Sequence, residues 1–278
     1  VYRMRTTLPE LARPLQTLYH YYHLQPDDGF IDFEVAIQPR NRWEKLRGRH
    51  VSFIIDGRPV FTPFARQLAI PMFEWAVNWC VFTRPHQYLV LHSAVLEHDN
   101  KAIILPGRPG AGKSTLCAGL SLRNWRLLSD EVCVIRPGDP ALIPVPRPVG
   151  LKEKSIEVIK AFEPSVTMGP ATPGTRKGTV AHIQVDQQAI DKADQKPMPA
   201  MIVFPTYKAD SPLTLTPLSK AQTFLRIAGD AFNFSILGDA GFETLSQLVE
   251  RCDCYTLTYS DMQGAIDHLT ALIKEKQV

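Results

Sequence analysis

The 278-residue sequence has no run of lysines and arginines, no apolar stretch of membrane-spanning length and no internal repeat. A net charge of +3 spread thinly along the chain is not the footprint of a nucleic-acid binder, which concentrates its basic residues in a patch or stripe. Crossing a bilayer as a helix takes about 20 consecutive apolar residues. With no such run and no signal-peptide pattern, the sequence predicts a cytoplasmic protein without a membrane partner. Cysteine is scarce. Of Cys80, Cys117, Cys133, Cys252 and Cys254, only the last two are close together, and with no second pair they do not match a zinc knuckle. They read as incidental thiols in a reducing compartment. Proline, by contrast, is plentiful at 23 residues and predicts many short elements joined by extended connections. The composition, 45% hydrophobic and 21% charged, is that of a globular protein long enough for one large domain or two modest ones.

The strongest local signal is Gly107-Arg108-Pro109-Gly110-Ala111-Gly112-Lys113-Ser114-Thr115, a full match to G-x-x-x-x-G-K-[ST]. Each part of that pattern has a physical task. The glycines let successive backbone N–H groups turn inward around an anion, the lysine reaches the outer phosphates of a nucleotide, and the Ser114 hydroxyl can ligate Mg²⁺. A match of this kind arises by chance in a chain of this length about once in a hundred. The flanks agree. Ala102–Leu105 is a short apolar strand, and Thr115–Leu122 has helical apolar spacing. A phosphate bound here would lie at a helix N-terminus.

Around this motif the chain divides into an N-terminal α+β lobe, residues 1–85, and a nucleotide-binding domain, residues 86–278. In the first, Phe30–Ile37 alternates as a half-buried strand, and Asp56-Gly57 between two apolar runs marks a hairpin. Leu68–Phe82 has helical period, and its aromatics are expected to pack against the second domain. In the second, Tyr88–Leu96 reads as a strand turning through His98–Lys101 directly into the strand before the glycine motif. A hairpin at that place predicts a mixed rather than an all-parallel sheet. Trp125–Ile135 reads as one strand with Asp130 and Glu131 at its middle. Residues 164–180, rich in Gly, Pro and Thr, read as a mobile loop. Helices are expected over Lys220–Ile236, Gly241–Arg251 and Met262–Lys274, and strands over Ala200–Phe204 and Tyr255–Tyr259.

A nucleotide-bound Mg²⁺ needs an acidic anchor besides Ser114. Asp130 and Glu131 follow Lys113 by 17 and 18 residues, the length of one helix and a return strand. Adjacent strand residues face opposite sides unless a bulge intervenes, so one acid is expected to hold metal while the other acts separately. Phosphoryl transfer also needs cations beyond Lys113. Arg108 lies inside the motif, and Arg147, Lys152, Lys154, Arg176 and Lys177 lie downstream. Arg147 and Lys152, in a Pro-rich cationic stretch, and Arg176 are the foremost candidates for phosphate or acceptor binding.

Three blocks in order, His92-Ser-Ala-Val, the glycine motif with its strand, and Trp125-Arg-Leu-Leu-Ser-Asp-Glu-Val, resemble the core of HPr kinase/phosphorylase across Tyr88–Ile135. Pro146–Ser155 is similar to the group called HPr kinase-related kinase A. The resemblance implies an α/β fold whose mixed-sheet phosphate-loop core is akin to HPr kinase and phosphoenolpyruvate carboxykinase. It implies ATP and Mg²⁺ as cofactors and Lys113 as the phosphate-binding lysine. Ser114, Asp130 and Glu131 become metal ligands, with Asp130 favoured as the base that takes the acceptor's proton, and His92 takes the family's catalytic histidine position. The acceptor implied is a Ser/Thr hydroxyl of a protein or peptide, and the hexamer usual in the family implies a homo-oligomer. Glu131 stands where the family has a second aspartate, and the family's C-terminal Arg-Gly-x-Gly-Ile signature is not found, so phosphorylase activity and HPr as substrate are not expected. Two other readings of the residues stay open, an ATP-binding regulatory or assembly module without transfer and a small-molecule kinase.

Overall fold

The structure, a computed structural model, describes residues 1–26, 28–83, 87–107 and 110–276. Its elements make a mixed α/β protein. The expected domain boundary, between residues 85 and 86, lies outside the described residues.

The first part of the chain contains β1 (Tyr2–Thr6), α1 (Ala12–Leu18), β2 (Phe33–Gln38), α2 (Arg42–Arg47), β3 (His50–Ile55), β4 (Arg58–Pro59), β5 (Phe64–Ala65) and α3 (Ala69–Thr83). The strands join in the order β1-β2-β3-β4, with β5 also on β3. The turn between β3 and β4 is the expected one, with φ of 48° at Asp56 and 77° at Gly57, the left-handed pair that a tight hairpin demands. Helix α3 buries Ile70, Phe73, Val77 and Cys80 on one stripe. That stripe closes over Val35, Ile37, Val51 and Phe53 of its own sheet. The expectation that the aromatics of α3 pack against the second domain holds at its C-terminal end, where Val81 packs with Val90, Val132 and Val134 and the Phe82 ring stacks on Phe232 with centroids 4.2 Å apart; Phe73, Trp75 and Trp79 stay with their own lobe.

One polar side chain of α3 reaches across as well. Glu74, 3% exposed, pairs with Arg147, 4% exposed. The Tyr19 hydroxyl donates to both Glu74 oxygens, at 2.9 and 3.0 Å, and the Tyr22 hydroxyl donates to the Pro146 carbonyl at 3.0 Å. Removing one partner of a buried ion pair strands the other charge and typically costs about 3–5 kcal/mol. Glu74→Gln is therefore expected to lower stability by about 3 kcal/mol in urea unfolding. The double variant Glu74→Leu/Arg147→Met is expected to regain most of that loss; equal losses in both would mean that the charge pair is not what is being disturbed.

The rest of the chain holds β6 (Leu89–Leu91), β7 (Ser93–His98), β8 (Lys101–Pro106), α4 (Lys113–Ser121), β9 (Arg126–Ser129), β10 (Cys133–Ile135), β11 (Leu142–Ile143), β12 (Val149–Lys152), α5 (Lys154–Phe162), β13 (Thr172–Thr175), β14 (Gly178–Ile183), α6 (Gln187–Asp191), β15 (Met198–Tyr207), β16 (Thr214–Pro217), α7 (Lys220–Asp230), α8 (Phe234–Leu237), α9 (Asp239–Arg251), β17 (Asp253–Tyr259) and α10 (Met262–Glu275). A six-stranded sheet runs β16-β17-β15-β8-β7-β9. β8, β15 and β17 are parallel; β7 is antiparallel to both its neighbours, β8 and β9. The sheet is mixed, as the hairpin before the glycine motif predicts. Asp99 and Asn100, with φ of 52° and 60°, make that turn. Alternation along β8 feeds two cores. Ile103 and Leu105 pack with Leu116 and Leu120 of α4 and Ile266 and Leu269 of α10, while Ala102 and Ile104 pack with Ile227 of α7 and Leu245 and Leu248 of α9. Among the described residues no helix is long and apolar enough to cross a membrane.

Three sequence readings are corrected here. Tyr88–Leu96 is two strands, broken at His92, and Trp125–Ile135 is two strands, broken at Asp130–Val132. Both breaks mark the same crossing. β7 and β9 pair in the six-stranded sheet, whereas β6 and β10 pair in a separate three-stranded sheet, order β11-β10-β6. The Ser129 hydroxyl accepts the N–H groups of Glu131, at 3.3 Å, and Val132, at 3.1 Å, replacing ladder bonds given up at the crossing. The third correction concerns residues 164–180, read as a loop. They contain β13 and the start of β14, a hairpin in a sheet of order β12-β14-β13, with Gly174 and Gly178 at positive φ.

Candidate functional site

Chain direction gathers the sequence candidates at one edge of the six-stranded sheet. The glycine motif leaves the C-terminal end of β8. Because β9 runs parallel to β8, Asp130 and Glu131 leave the same edge, and His92 precedes antiparallel β7 there.

Within the motif, Gly110 and Gly112 have φ of 90° and 88°. A Cβ on Gly112 would lie 3.0 Å from the Cβ of Tyr207, so both backbone shape and space call for glycine. The Gly112 carbonyl accepts the Leu116 N–H at 2.9 Å and opens α4, while the Ala111 carbonyl accepts the Tyr207 N–H at 3.0 Å and ties the loop to β15. Arg108 and Pro109, both expected to contact nucleotide, lie outside the described residues. Gly107 stands beside Pro205, and Ser114 and Thr115 lie partly buried in the first turn of α4. Lys113 is the residue with an unmet need. It is 7% exposed, and its Nζ is buried with no hydrogen-bond partner. An ammonium taken from water without a partner is costly. Its place at a helix N-terminus inside a glycine loop suits an anion that would supply the missing acceptors.

The acids diverge because the strand breaks where they sit. Asp130 is 2% exposed, and its Oδ2 accepts the Gly150 N–H of β12 at 2.9 Å. Glu131, with a side chain 25% exposed, lies 3.1 Å through Oε2 from Nε2 of His92, whose ring rests 5.6 Å from that of Phe232. Burial, then the Glu131 charge, pushes Asp130 up to about 7 against the opposing Gly150 N–H and Lys113 and Arg147 charges. Burial also tends to raise Glu131, but the His92 hydrogen bond and the charges of Lys113, His92 and Lys177 outweigh it and hold Glu131 down at about 2. A pair of neighbouring carboxyls pushed apart in this way separates a proton acceptor from a fixed anion. Among the described residues no three His, Cys, Asp or Glu side chains are placed to hold a metal by themselves. Ser114, Asp130 and Glu131 nevertheless offer only hard oxygens, the donor type that Mg²⁺ takes alongside phosphate and water.

The downstream cations separate. Lys152, at the end of β12, is held below its ordinary value by burial and then by the Lys177 charge, against the pull of Glu131. Lys177, in the β13–β14 turn, therefore stands within the field of Glu131. Arg176 is exposed at the same tip. Arg147 is buried at the contact between the two parts of the chain: its Nη2 donates to the Glu74 carboxylate, to the Glu74 carbonyl at 3.1 Å and to Tyr19, while its Nε and Nη1 are buried with no hydrogen-bond partner. Its influence on the acids is that of a buried positive field.

Sequence reasoning passed over Gly150, whose backbone holds Asp130, and His182, its β14 partner. Burial keeps His182 below its ordinary value, so this imidazole is neutral near pH 7. No local signal marks either residue; only the register of β12 on β14 brings them to the acids. A cavity of about 540 Å³ lies elsewhere, between Leu11, Arg49, Ile70 and Pro170, and the charges of Glu10 and Arg66 on its wall satisfy each other. No protein-family model matches the chain, and no curated protein matches it.

Proposed function

We propose that this chain is an ATP- and Mg²⁺-dependent cytoplasmic kinase with an HPr kinase-like phosphate-loop core, transferring the γ-phosphate to a Ser or Thr hydroxyl of a protein or peptide. The observation that carries the reading is the buried, unpartnered Nζ of Lys113 directly after a loop whose Gly110 and Gly112 hold left-handed φ. The loop N–H groups and Lys113 would hold the β- and γ-phosphates. The acceptor oxygen attacks phosphorus in line as the bond to the β-phosphate oxygen breaks and ADP departs. The acceptor's proton passes to Asp130, on Oδ1, because Gly150 occupies Oδ2. A base titrating near 7 is well matched to that task. Ser114 and the ionised Glu131, oriented by His92, fit as holders of Mg²⁺, which when bound would neutralise charge on the phosphates. Lys152 and Lys177 supply further positive charge on the acceptor side and suit an anionic or extended acceptor.

Release of ADP from ATP and Mg²⁺, measured with and without candidate Ser/Thr peptides, tests the reading. Acceptor-dependent ADP supports it. ATP binding with no ADP under any acceptor would favour a regulatory nucleotide-binding module, and absence of ATP binding would end the phosphate-loop reading. Without the family's C-terminal signature, serine-phosphorylated HPr incubated with inorganic phosphate is expected to give no pyrophosphate.

A further inference from the structure

Resting on the kinase reading above, the geometry points to Tyr207 as the platform on which the base of the nucleoside triphosphate stacks. In-line transfer places the attacking oxygen and the leaving oxygen on opposite sides of the transferred phosphorus. The acids and His92 stand on the β7–β9 side of β8, which fixes the acceptor side. The leaving diphosphate and its nucleoside must then run the other way, over the ends of β15 and β17.

What stands there is Tyr207. The pairing of β15 with β8 ends at Ile202–Ile104, whereas its pairing with β17 continues to Tyr207–Tyr259. By that register Phe204 is level with Pro106, the last residue of β8. Tyr207 is three residues further along, or about 10 Å at ordinary strand rise, and so stands beside the glycine loop. Its backbone N–H donates to Ala111, and its Cβ abuts Gly112. Tyr259 meets its ring edge-on, with centroids 5.8 Å apart and planes at 76°. Tyr207 nevertheless remains 55% exposed, at the end of a strand whose preceding residues are largely core. A fixed aromatic face open to solvent beside a phosphate site is suited to stacking on a base, an interaction tolerant of base identity.

Calorimetry with ATP and with inorganic tripolyphosphate, on wild type, Tyr207→Ala and Tyr207→Phe, tests this. Alanine keeps the Cβ against Gly112 and the N–H to Ala111, so the loop keeps its ties. Tyr207→Ala is expected to weaken ATP about tenfold or more and tripolyphosphate less than twofold, while Tyr207→Phe binds ATP within twofold of wild type. Equal ATP affinity in Tyr207→Ala and wild type would overturn the platform, and so would an equal loss for both ligands, which would mean that Tyr207 only supports the loop. If wild type binds tripolyphosphate but gains nothing from the nucleoside, the platform fails while the phosphate loop stands. If wild type binds neither ligand, the kinase reading itself falls and takes the platform with it.

Discussion

Lys113→Met is expected to cut turnover at least a hundredfold while the protein stays folded. The methionine keeps the unbranched stem that Lys113 buries at the start of α4. Because Nζ has no hydrogen-bond partner in the protein, its removal strands no buried acceptor. What disappears is a charge-assisted contact to phosphate, worth about 1.5–3 kcal/mol, which corresponds to roughly a tenfold to hundredfold rise in the Kd for ATP. Preorganised positive charge acts more strongly on the charge that develops during transfer, where losing one donor typically costs about a hundredfold to a thousandfold in rate. Calorimetry and ADP release measure the two effects separately. A variant with wild-type ATP affinity and wild-type turnover would show that the loop does not hold phosphate.

Asp130→Asn is expected to lose activity by about two to four orders of magnitude, the usual contribution of a general base, and to gain stability at the same time. The folded state holds the Asp130 proton more tightly than the unfolded chain does, since the group titrates near 7 rather than near its ordinary value of about 3.9. Its contribution is fully present below about pH 4, declines as pH rises through the window up to about 7, and is absent above it. Asparagine still accepts the Gly150 N–H and carries no charge at any pH. In metal-free buffer at pH 8 the variant should be more stable by up to about 4 kcal/mol, with a higher Tm, and its stability should lack the decline between pH 4 and 7. Glu131 has the opposite sign. Held near 2, it stabilises the fold above its ordinary value and loses that contribution as pH falls toward 2. Glu131→Gln should therefore be less stable at neutral pH and show an altered Mg²⁺ dependence. If Glu131→Gln is the inert variant with Mg²⁺ affinity intact, the two acids have each other's roles.

The parts of this arrangement visible in the sequence are those fixed by local chemistry. Gly110 and Gly112 must be glycine for backbone reasons, Asp99-Asn100 and Asp56-Gly57 tolerate left-handed φ, and α3 carries its apolar residues at helical spacing. From these follow the glycine loop, two hairpins and the mixed sheet. The strand breaks were not visible, because apolar residues continue on both sides of His92 and of Asp130-Glu131, and the change of partner from β9 to β10 is decided by distant pairing. The β13–β14 hairpin resembles a loop in the sequence for a related reason. Its Gly, Pro and Thr content is that of a turn, while its strand character comes from β12, which lies about 30 residues earlier. The partner of Arg147 is hidden too, because a sequence reports a charge and not what it pairs with; Glu74 is 73 residues away.

That distant partnership bears on how far the two parts of this protein are modular. The segment that presents the Gly150 N–H to Asp130 begins at Pro146 and Arg147, and these are grasped by Tyr22, Tyr19 and Glu74. A fragment beginning near residue 87 would bare a guanidinium shaped for a carboxylate it no longer has, and would release the strand that steadies the acid. The first 83 residues are thus less an attachment than a missing wall of the second part. Recombination that exchanged them for an unrelated lobe would have to bring its own glutamate to the same spot.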